Sequence, residues 1–270
     1  MLADLRDKRI LLTAPLDSSE RIAKLVRQRG GIPVIAPLIK RVPLPGGETV
    51  RNKLRALSSY RWIVFTSAGA VEKFFDELES LHVRAENVPG TIVAIGERTR
   101  WRIERRGFAV GCVAQESVAE GVVAAMTKQG LRAGDRVLFP CADNARSFIP
   151  EELQRRGVYV EVMELYTIAP DTPENLDYIR AALDSGVIDV VTFTSPSAAR
   201  RFFEIFSWPE MLVRPVIGVI GPTTAAALCE AKVKEFVQPP QATAESMIAA
   251  LAEYFESYRP GDLKVRVKML

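Results

Sequence analysis

The sequence predicts an α/β protein made of two similar parallel-sheet domains. Two observations carry this reading. Short runs rich in Val and Ile alternate with amphipathic helical patterns, which is the pattern of parallel strands covered by helices on both faces. Four blocks of sequence also recur in one order at nearly one offset, and a length of 270 residues suits two domains better than one.

Ten strand candidates follow from the apolar runs and the turn residues that bound them. The first is RILLTAP at 9–15. Ile22, Leu25 and Val26 then fall three or four apart on one helical face, and Gly30 is placed to stop that helix. IPVIAPL at 32–38 and WIVFTS at 62–67 are the next two strands. After Ser67, the residues Val71, Phe74, Phe75, Leu78 and Leu81 keep helical spacing. TIVAIG (91–96), AVGCVA (109–114), RVLFPC (136–141) and VYVEVMEL (158–165) follow. VVTFTS (190–195), VIGVIG (216–221) and KEFVQP (234–239) complete the set.

The repetition runs through the chain. KRILLTAP with its helix matches DRVLFPCA with LQRRGVYV, and Arg9 and Arg136 lie 127 positions apart. WIVFTSAGAVEKFF matches VVTFTSPSAARRFF, with Thr66 and Thr194 separated by 128. VAIGERT matches GVIGPTT, with Gly96 and Gly221 separated by 125, and AQESVAEGVVAAM matches PPQATAESMIAAL. Each copy is a five-stranded α/β domain. The arithmetic allows a tandem cut near residue 129. It equally allows a swap in which the first strand and helix join the last three strands.

Composition excludes several classes. The chain is 48% hydrophobic and 26% charged with a net charge of +3, too small a balance to announce nucleic acid. No apolar run approaches the ~20 residues of a membrane helix, and MLADLRDKRI has no signal-peptide core, so the expectation is a cytoplasmic protein. Cys112, Cys141 and Cys229 are odd in number and far apart, which reads as buried thiols in a reducing cytosol. His82 is the single histidine; without companion ligands it reads as a surface or helix-end residue and not a metal ligand. There is no G-x-x-x-x-G-K-[ST], no G-x-G-x-x-G in the first strand–helix turn and no G-x-S-x-G. Arg98, Arg102 and Arg106 share helical spacing, a solvated basic face that could steer an anion.

Chemistry in such sheets sits beyond the carboxyl ends of the strands, where loops enter helix N-termini. Ser67 and Ser195 are N-cap residues, and Pro196 suits the first helical position. The amides of Ala68–Ala70 and Ser197–Ala199 then form an anion site built from backbone; the plainer reading is that both serines only cap their helices. IGERT and IGPTT place Gly96 and Gly221 at strand ends, with Thr99 and Thr224 three residues later in the first helical turn. These residues describe a cleft rich in amides and hydroxyls, poor in strong acids, bases and nucleophiles. It suits a multiply charged anionic ligand that is shaped more than attacked.

Together the blocks resemble the uroporphyrinogen-III synthases. ILLTAP, WIVFTSAGAVEKFF, VAIGERT, RVLFPCADNAR, LQRRGVYVEVMELYTIAP, TFTSPSAARRFF and VIGPTTAAAL carry the resemblance from Arg9 to Leu251. It implies a swapped architecture of two flavodoxin-like domains, residues 1–38 with 169–260 and residues 39–168. Extended connections near LIKRVPL and ELYTIAP would form a two-stranded linker. The tail at 261–270 lies outside the resemblance, with no role assigned.

The resemblance also implies the reaction of haem biosynthesis in which hydroxymethylbilane, a linear tetrapyrrole with eight carboxylates, closes to uroporphyrinogen III with ring D inverted and water lost. No cofactor, metal, nucleic acid or membrane partner is implied, and the expectation is a monomer. Tyr166 matches the family's tyrosine and would assist departure of the hydroxyl, or else pack at the linker. Thr99, Ser197, Thr223 and Thr224 match polar positions, and Arg146 matches an arginine that could pair with a carboxylate. Thr66, Ser67, Ala68, Gly96, Thr194, Ser195, Pro196, Ala198 and Gly221 complete the expected substrate-binding set. Where the family often has Asn or Arg after TS-x, this chain has Gly69, so a side-chain contact is lost there. The competing reading is a non-catalytic sensor of the same fold. The short tail leaves that reading no output module, and a secreted solute-binding protein lacks its signal peptide.

Overall fold

The computed structural model describes residues 4–83, 88, 90–114, 119–143, 148–206, 215–233 and 235–257. In chain order, β1 (Arg9–Leu12), α1 (Leu16–Gln28) and β2 (Ile32–Ile35) come first. β3 (Ile39–Pro43), α2 (Glu48–Arg55), β4 (Trp62–Phe65), α3 (Ala68–Ser80), β5 (Thr91–Ile95), α4 (Glu97–Glu104) and β6 (Cys112–Ala114) follow. Next are α5 (Ala119–Lys128), β7 (Arg136–Ala142), α6 (Phe148–Arg155) and β8 (Tyr159–Pro170). The chain continues through α7 (Leu176–Asp184), β9 (Val190–Phe193), α8 (Pro196–Ile205), β10 (Val216–Val219), α9 (Pro222–Glu230) and α10 (Ala244–Ser257).

Two units emerge: residues up to Lys40 with those from Ala169 onward, and Arg41–Ile168. The first holds a sheet of order β10-β9-β1-β2, all pairs parallel. The second sheet has the order β3-β8-β7-β4-β5-β6. The sequence repeat equates β4 with β9, β5 with β10 and β7 with β1. Under that mapping β5-β4-β7-β8 runs in the same order as β10-β9-β1-β2.

Two segments depart from the list of strand candidates. Of KEFVQP, the described residues 235–239 do not become a strand. Val237 makes one parallel bridge to Gly218, with Val219 N donating to Val237 O at 2.9 Å and Val237 N to Ile217 O at 2.7 Å. Pro239 and Pro240 offer no N–H to continue a ladder. Ile39–Pro43, absent from the ten strand candidates but expected as an extended connection near LIKRVPL, is a true strand. It pairs with β8 through Leu44 N to Leu165 O at 3.0 Å and Asp171 N to Leu38 O at 2.8 Å. Residue numbers rise on one side as they fall on the other, so this pair is antiparallel.

β4 shows how the second unit's core forms. Ile63 and Phe65 pack with Phe74, Phe75 and Leu78 of α3 on one face of the sheet. Trp62 and Val64 pack with Val123, Met126, Val137 and Phe139 on the other. This is the period of two expected of a strand buried on both sides. Phe65, Phe74 and Phe75 interlock at 5.1, 6.0 and 5.3 Å between centroids. Phe193, Phe202 and Phe203 repeat the arrangement in the first unit at 5.3, 6.0 and 5.4 Å. Burying each such ring contributes about 1.5–3 kcal/mol, so the recurrence of the two FF pairs reflects packing. In the first unit, Ile22, Ala23 and Val26 of α1 join Ile10, Leu12, Met247, Ile248 and Leu251.

Candidate functional site

The carboxyl ends of the strands carry most of the polar residues singled out by the sequence. Ser67 is extended (φ −150°, ψ 149°) and its Oγ accepts from Ala70 N at 3.2 Å. Ser195 has the same geometry (φ −159°, ψ 154°), accepting from Ala198 N at 3.3 Å. Both serines are therefore caps, each satisfying one of the orphan donors of its helix. This corrects the expected count of open amides. Ala70 N and Ala198 N are spent on the caps, Ala199 N donates to Ser195 O at 3.3 Å, and Pro196 at the first position of α8 has no N–H. The α3 mouth keeps the amides of Ala68 and Gly69, and the α8 mouth keeps that of Ser197. Thr66, Ser67, Ala68, Thr194, Ser195, Pro196 and Ser197 are half-buried, whereas Ala198 is fully buried.

Gly96 and Gly221 precede α4 and α9 for different reasons. Gly96 has φ 76° and ψ 153°, a region almost confined to glycine. Gly221 is fully extended at φ 176°, but a Cβ there would sit 3.0 Å from Ala242 Cβ. Thr99 and Thr224 both occupy the third residue of their helices and both are buried, while Thr223 is exposed. Arg146 and the tail at 261–270 lie outside the described residues. His82 is exposed just past the end of α3.

Tyr166 lies on β8, only 6% exposed, and its Oη is 3.2 Å from Ser67 Oγ. The pairing of β7 with β8 explains how it gets there. Cys141 pairs with Glu164 and Ala142 with Tyr166, so Leu165 is an extra residue on β8. Strict alternation would send Leu165 and Tyr166 to opposite faces. The bulge breaks it, and both side chains join the α3-side core with Met163. Asp143 N donates to Tyr166 O at 3.0 Å, fixing the strand just past the bulge.

Sequence reasoning missed Arg41. It sits on β3 beside Gly69: a Cβ at Gly69 would lie 3.0 Å from Arg41 Nε and 3.2 Å from Tyr166 Oη. The signal was the absence of a side chain at Gly69, which left room for one from elsewhere. Also missed was a hydroxyl zipper at the ends of β1 and β9. Thr13 Oγ1 donates to Thr192 O at 2.7 Å, and Thr192 Oγ1 donates to Leu11 O at 3.0 Å.

The arrangement offers hydroxyls, amides and a guanidinium. Of the three thiols expected to be buried, Cys112 and Cys141 are, whereas Cys229, near the end of α9, is exposed. Burial pushes the thiols of Cys112 and Cys141 up, Cys141 to about 12 with help from Glu164 and Asp143. Neither supplies a thiolate nucleophile at neutral pH. Among the described residues, no group of three His, Cys, Asp or Glu side chains is placed to hold a metal ion. No helix among them is long and apolar enough to cross a membrane.

Residues 20–249 match the family model of uroporphyrinogen-III synthase HemD. A Methanothermobacter thermautotrophicus protein, provisionally assigned as a uroporphyrinogen-III synthase, is 30% identical over 250 residues, covering 89% of this chain and 96% of that one. The uroporphyrinogen-III synthase of Chlorobaculum parvum is 26% identical over 248 residues, covering 91% and 98%. In fold, the chain is similar to a mutant uroporphyrinogen III synthase from Thermus thermophilus, with a TM-score of 0.64 at 20% identity, covering 93% of this chain and 100% of that one. With the family model matched across both units, the chain belongs to the uroporphyrinogen-III synthase family.

Proposed function

We propose that this protein closes hydroxymethylbilane to uroporphyrinogen III, inverting ring D and releasing water, in haem biosynthesis. The observation that carries the reading is the family match over residues 20–249. The chemistry fits the residues available. Loss of the substrate's hydroxyl gives an azafulvene stabilised by its own pyrrole nitrogen, so no strong base, nucleophile or metal is required. The unaided chain closes to the wrong isomer. The protein's task is to hold the chain so that the substituted carbon of ring D is attacked, which is a matter of positioning and preorganised dipoles.

In this reading Tyr166 donates a proton to the departing hydroxyl. Its burial beside Ser67 supports the role, since a phenol held in one orientation loses little on reaching the transition state. The two helix mouths, with Thr66, Ser67, Ala68 and Gly96 in one unit and Thr194, Ser195, Pro196, Ser197, Gly221 and Thr223 in the other, take acetate and propionate groups. Thr99, Thr224 and Arg146 belong to the same set, Thr99 and Thr224 acting from buried positions.

Each unit is read as a flavodoxin-like domain, one of residues 1–38 with 169–260 and one of residues 39–168. The first unit's order supports this: counting the Val237 bridge as a fifth strand, it runs 2-1-3-4-5, the order of flavodoxin. The protein would act as a cytoplasmic monomer on a small-molecule substrate, without nucleic acid. The decisive experiment supplies hydroxymethylbilane to purified protein and resolves isomers I and III. Isomer III is the expected product; isomer I alone would remove the enzymatic reading.

A further inference from the structure

Gly69 is the second residue of α3, and two polar groups border the space its missing side chain leaves. A Cβ there would lie 3.0 Å from Arg41 Nε, 3.3 Å from Arg41 Cδ and 3.2 Å from Tyr166 Oη. The strand pairing explains the convergence. The bonds of Leu44 to Leu165 and of Asp171 to Leu38 set Pro43 opposite Tyr166 and Arg41 opposite Ile168. Arg41 and Tyr166 are thus diagonal neighbours on one face of an antiparallel pair, within reach of long side chains. Tyr166 is held by its burial and by the bulge in β8.

A guanidinium has donors only, so a phenol near it can present lone pairs but cannot donate to it. The positive charge of Arg41, on the other side of the same gap, favours the phenolic proton turned away from it. That leaves the proton for Ser67 Oγ, 3.2 Å distant, or for a group bound at the α3 mouth. We propose that Arg41 is a positioning residue for the reaction, orienting the Tyr166 hydroxyl through the gap that Gly69 keeps open. The proposal rests on the reading of Tyr166 as proton donor.

The test measures kcat and KM for isomer III formation from hydroxymethylbilane in Arg41→Met, Arg41→Lys, Gly69→Ala, Tyr166→Phe and the Arg41→Met/Tyr166→Phe double variant. Arg41→Met should lower kcat about tenfold with KM within about twofold, the cost of a misaligned catalytic group. Arg41→Lys should recover part of the loss. Gly69→Ala, which keeps the cation but wedges a methyl group against both side chains, should reproduce it. In the Tyr166→Phe background, Arg41→Met should add no further loss. A rise in KM with kcat intact would make Arg41 a carboxylate ligand and overturn the proposal. So would a full additional tenfold loss in the double variant, or unchanged kinetics in both Arg41→Met and Gly69→Ala. An unchanged kcat in Tyr166→Phe sinks the proton-donor reading by itself, and absence of isomer III with wild-type protein sinks the function before any variant is made. If Arg41→Met does not fold, Gly69→Ala and Arg41→Lys decide by the same criteria.

Discussion

Tyr166 Oη lies 3.2 Å from Ser67 Oγ, and that same oxygen accepts from Ala70 N at 3.2 Å. One serine thus caps α3 and partners a buried phenol. In the other unit Ser195 carries the same cap at 3.3 Å, but the strand that matches β8, Ile32–Ile35, holds no tyrosine. The two repeats share a framework and differ in the phenol that one of them adds.

Removing only the phenolic oxygen tests that difference. Tyr166→Phe should lower kcat for isomer III about 100-fold, within the range general acids supply, while KM changes little. Steady-state kinetics with isomer resolution gives the answer; an unchanged kcat would take Tyr166 out of the chemical step.

The paired caps give a second comparison. Ser67→Ala and Ser195→Ala should each cost about 1 kcal/mol of stability, the usual value of a lost N-cap, read from urea denaturation midpoints. Their kinetics should part: Ser67→Ala also frees Tyr166 and lowers kcat, whereas Ser195→Ala raises KM. Identical kinetic profiles would mean that the two mouths are equivalent, contrary to the asymmetry of Tyr166.

What the sequence shows and hides follows from range. The caps at Ser67 and Ser195 are local, set by a strand end and the next helical turn, and the repeated FTS blocks display them directly. The FF pairs are legible as core because helical spacing decides their face. The bulge at Leu165 depends on how β8 registers against β7, and a strict period of two would have turned Tyr166 to the wrong face. Arg41 was hidden for a similar reason. It approaches Gly69 only because β3 lies antiparallel to β8, more than a hundred residues on. KEFVQP misled because its composition suits a strand while its own Pro239 and the Pro240 that follows remove the donors a ladder needs.

The matched glycines should respond unlike one another. Gly96→Ala places a side chain in a backbone region nearly confined to glycine and should cost about 1–3 kcal/mol, although open space surrounds it. Gly221→Ala meets no backbone penalty; its cost comes from the 3.0 Å approach to Ala242 Cβ. Ala242→Gly should therefore rescue Gly221→Ala and leave Gly96→Ala untouched. Thermal midpoints of the four variants check this, and rescue of Gly96→Ala by Ala242→Gly would refute it.

At the opposite ends of the same strands, Asp135 ties β4 to β7. Its carboxylate accepts from Arg61 Nη1 at 2.9 and 3.0 Å, from Trp62 Nε1 at 3.0 Å and from Arg132 N at 3.1 Å. Burial alone would raise the carboxyl's pKa, but the bonds from Trp62, Arg61 and the Arg132 amide outweigh it and hold the group below its ordinary value. Asp135→Ala strands the indole N–H of the buried Trp62 and should cost about 1–3 kcal/mol near neutral pH. The sign of the pH dependence follows from the lowered value. The charged form is favoured more in the folded than in the unfolded chain, so the carboxylate's stabilisation is complete above its unfolded pKa of about 3.9. It is lost as pH falls through the lower folded value. The gap in denaturation midpoint between wild type and Asp135→Asn should therefore be constant from pH 7 to about 5 and close progressively below about 4. A gap that widened on acidification would show that the neutral acid, not the carboxylate, holds Arg61 and Trp62 together.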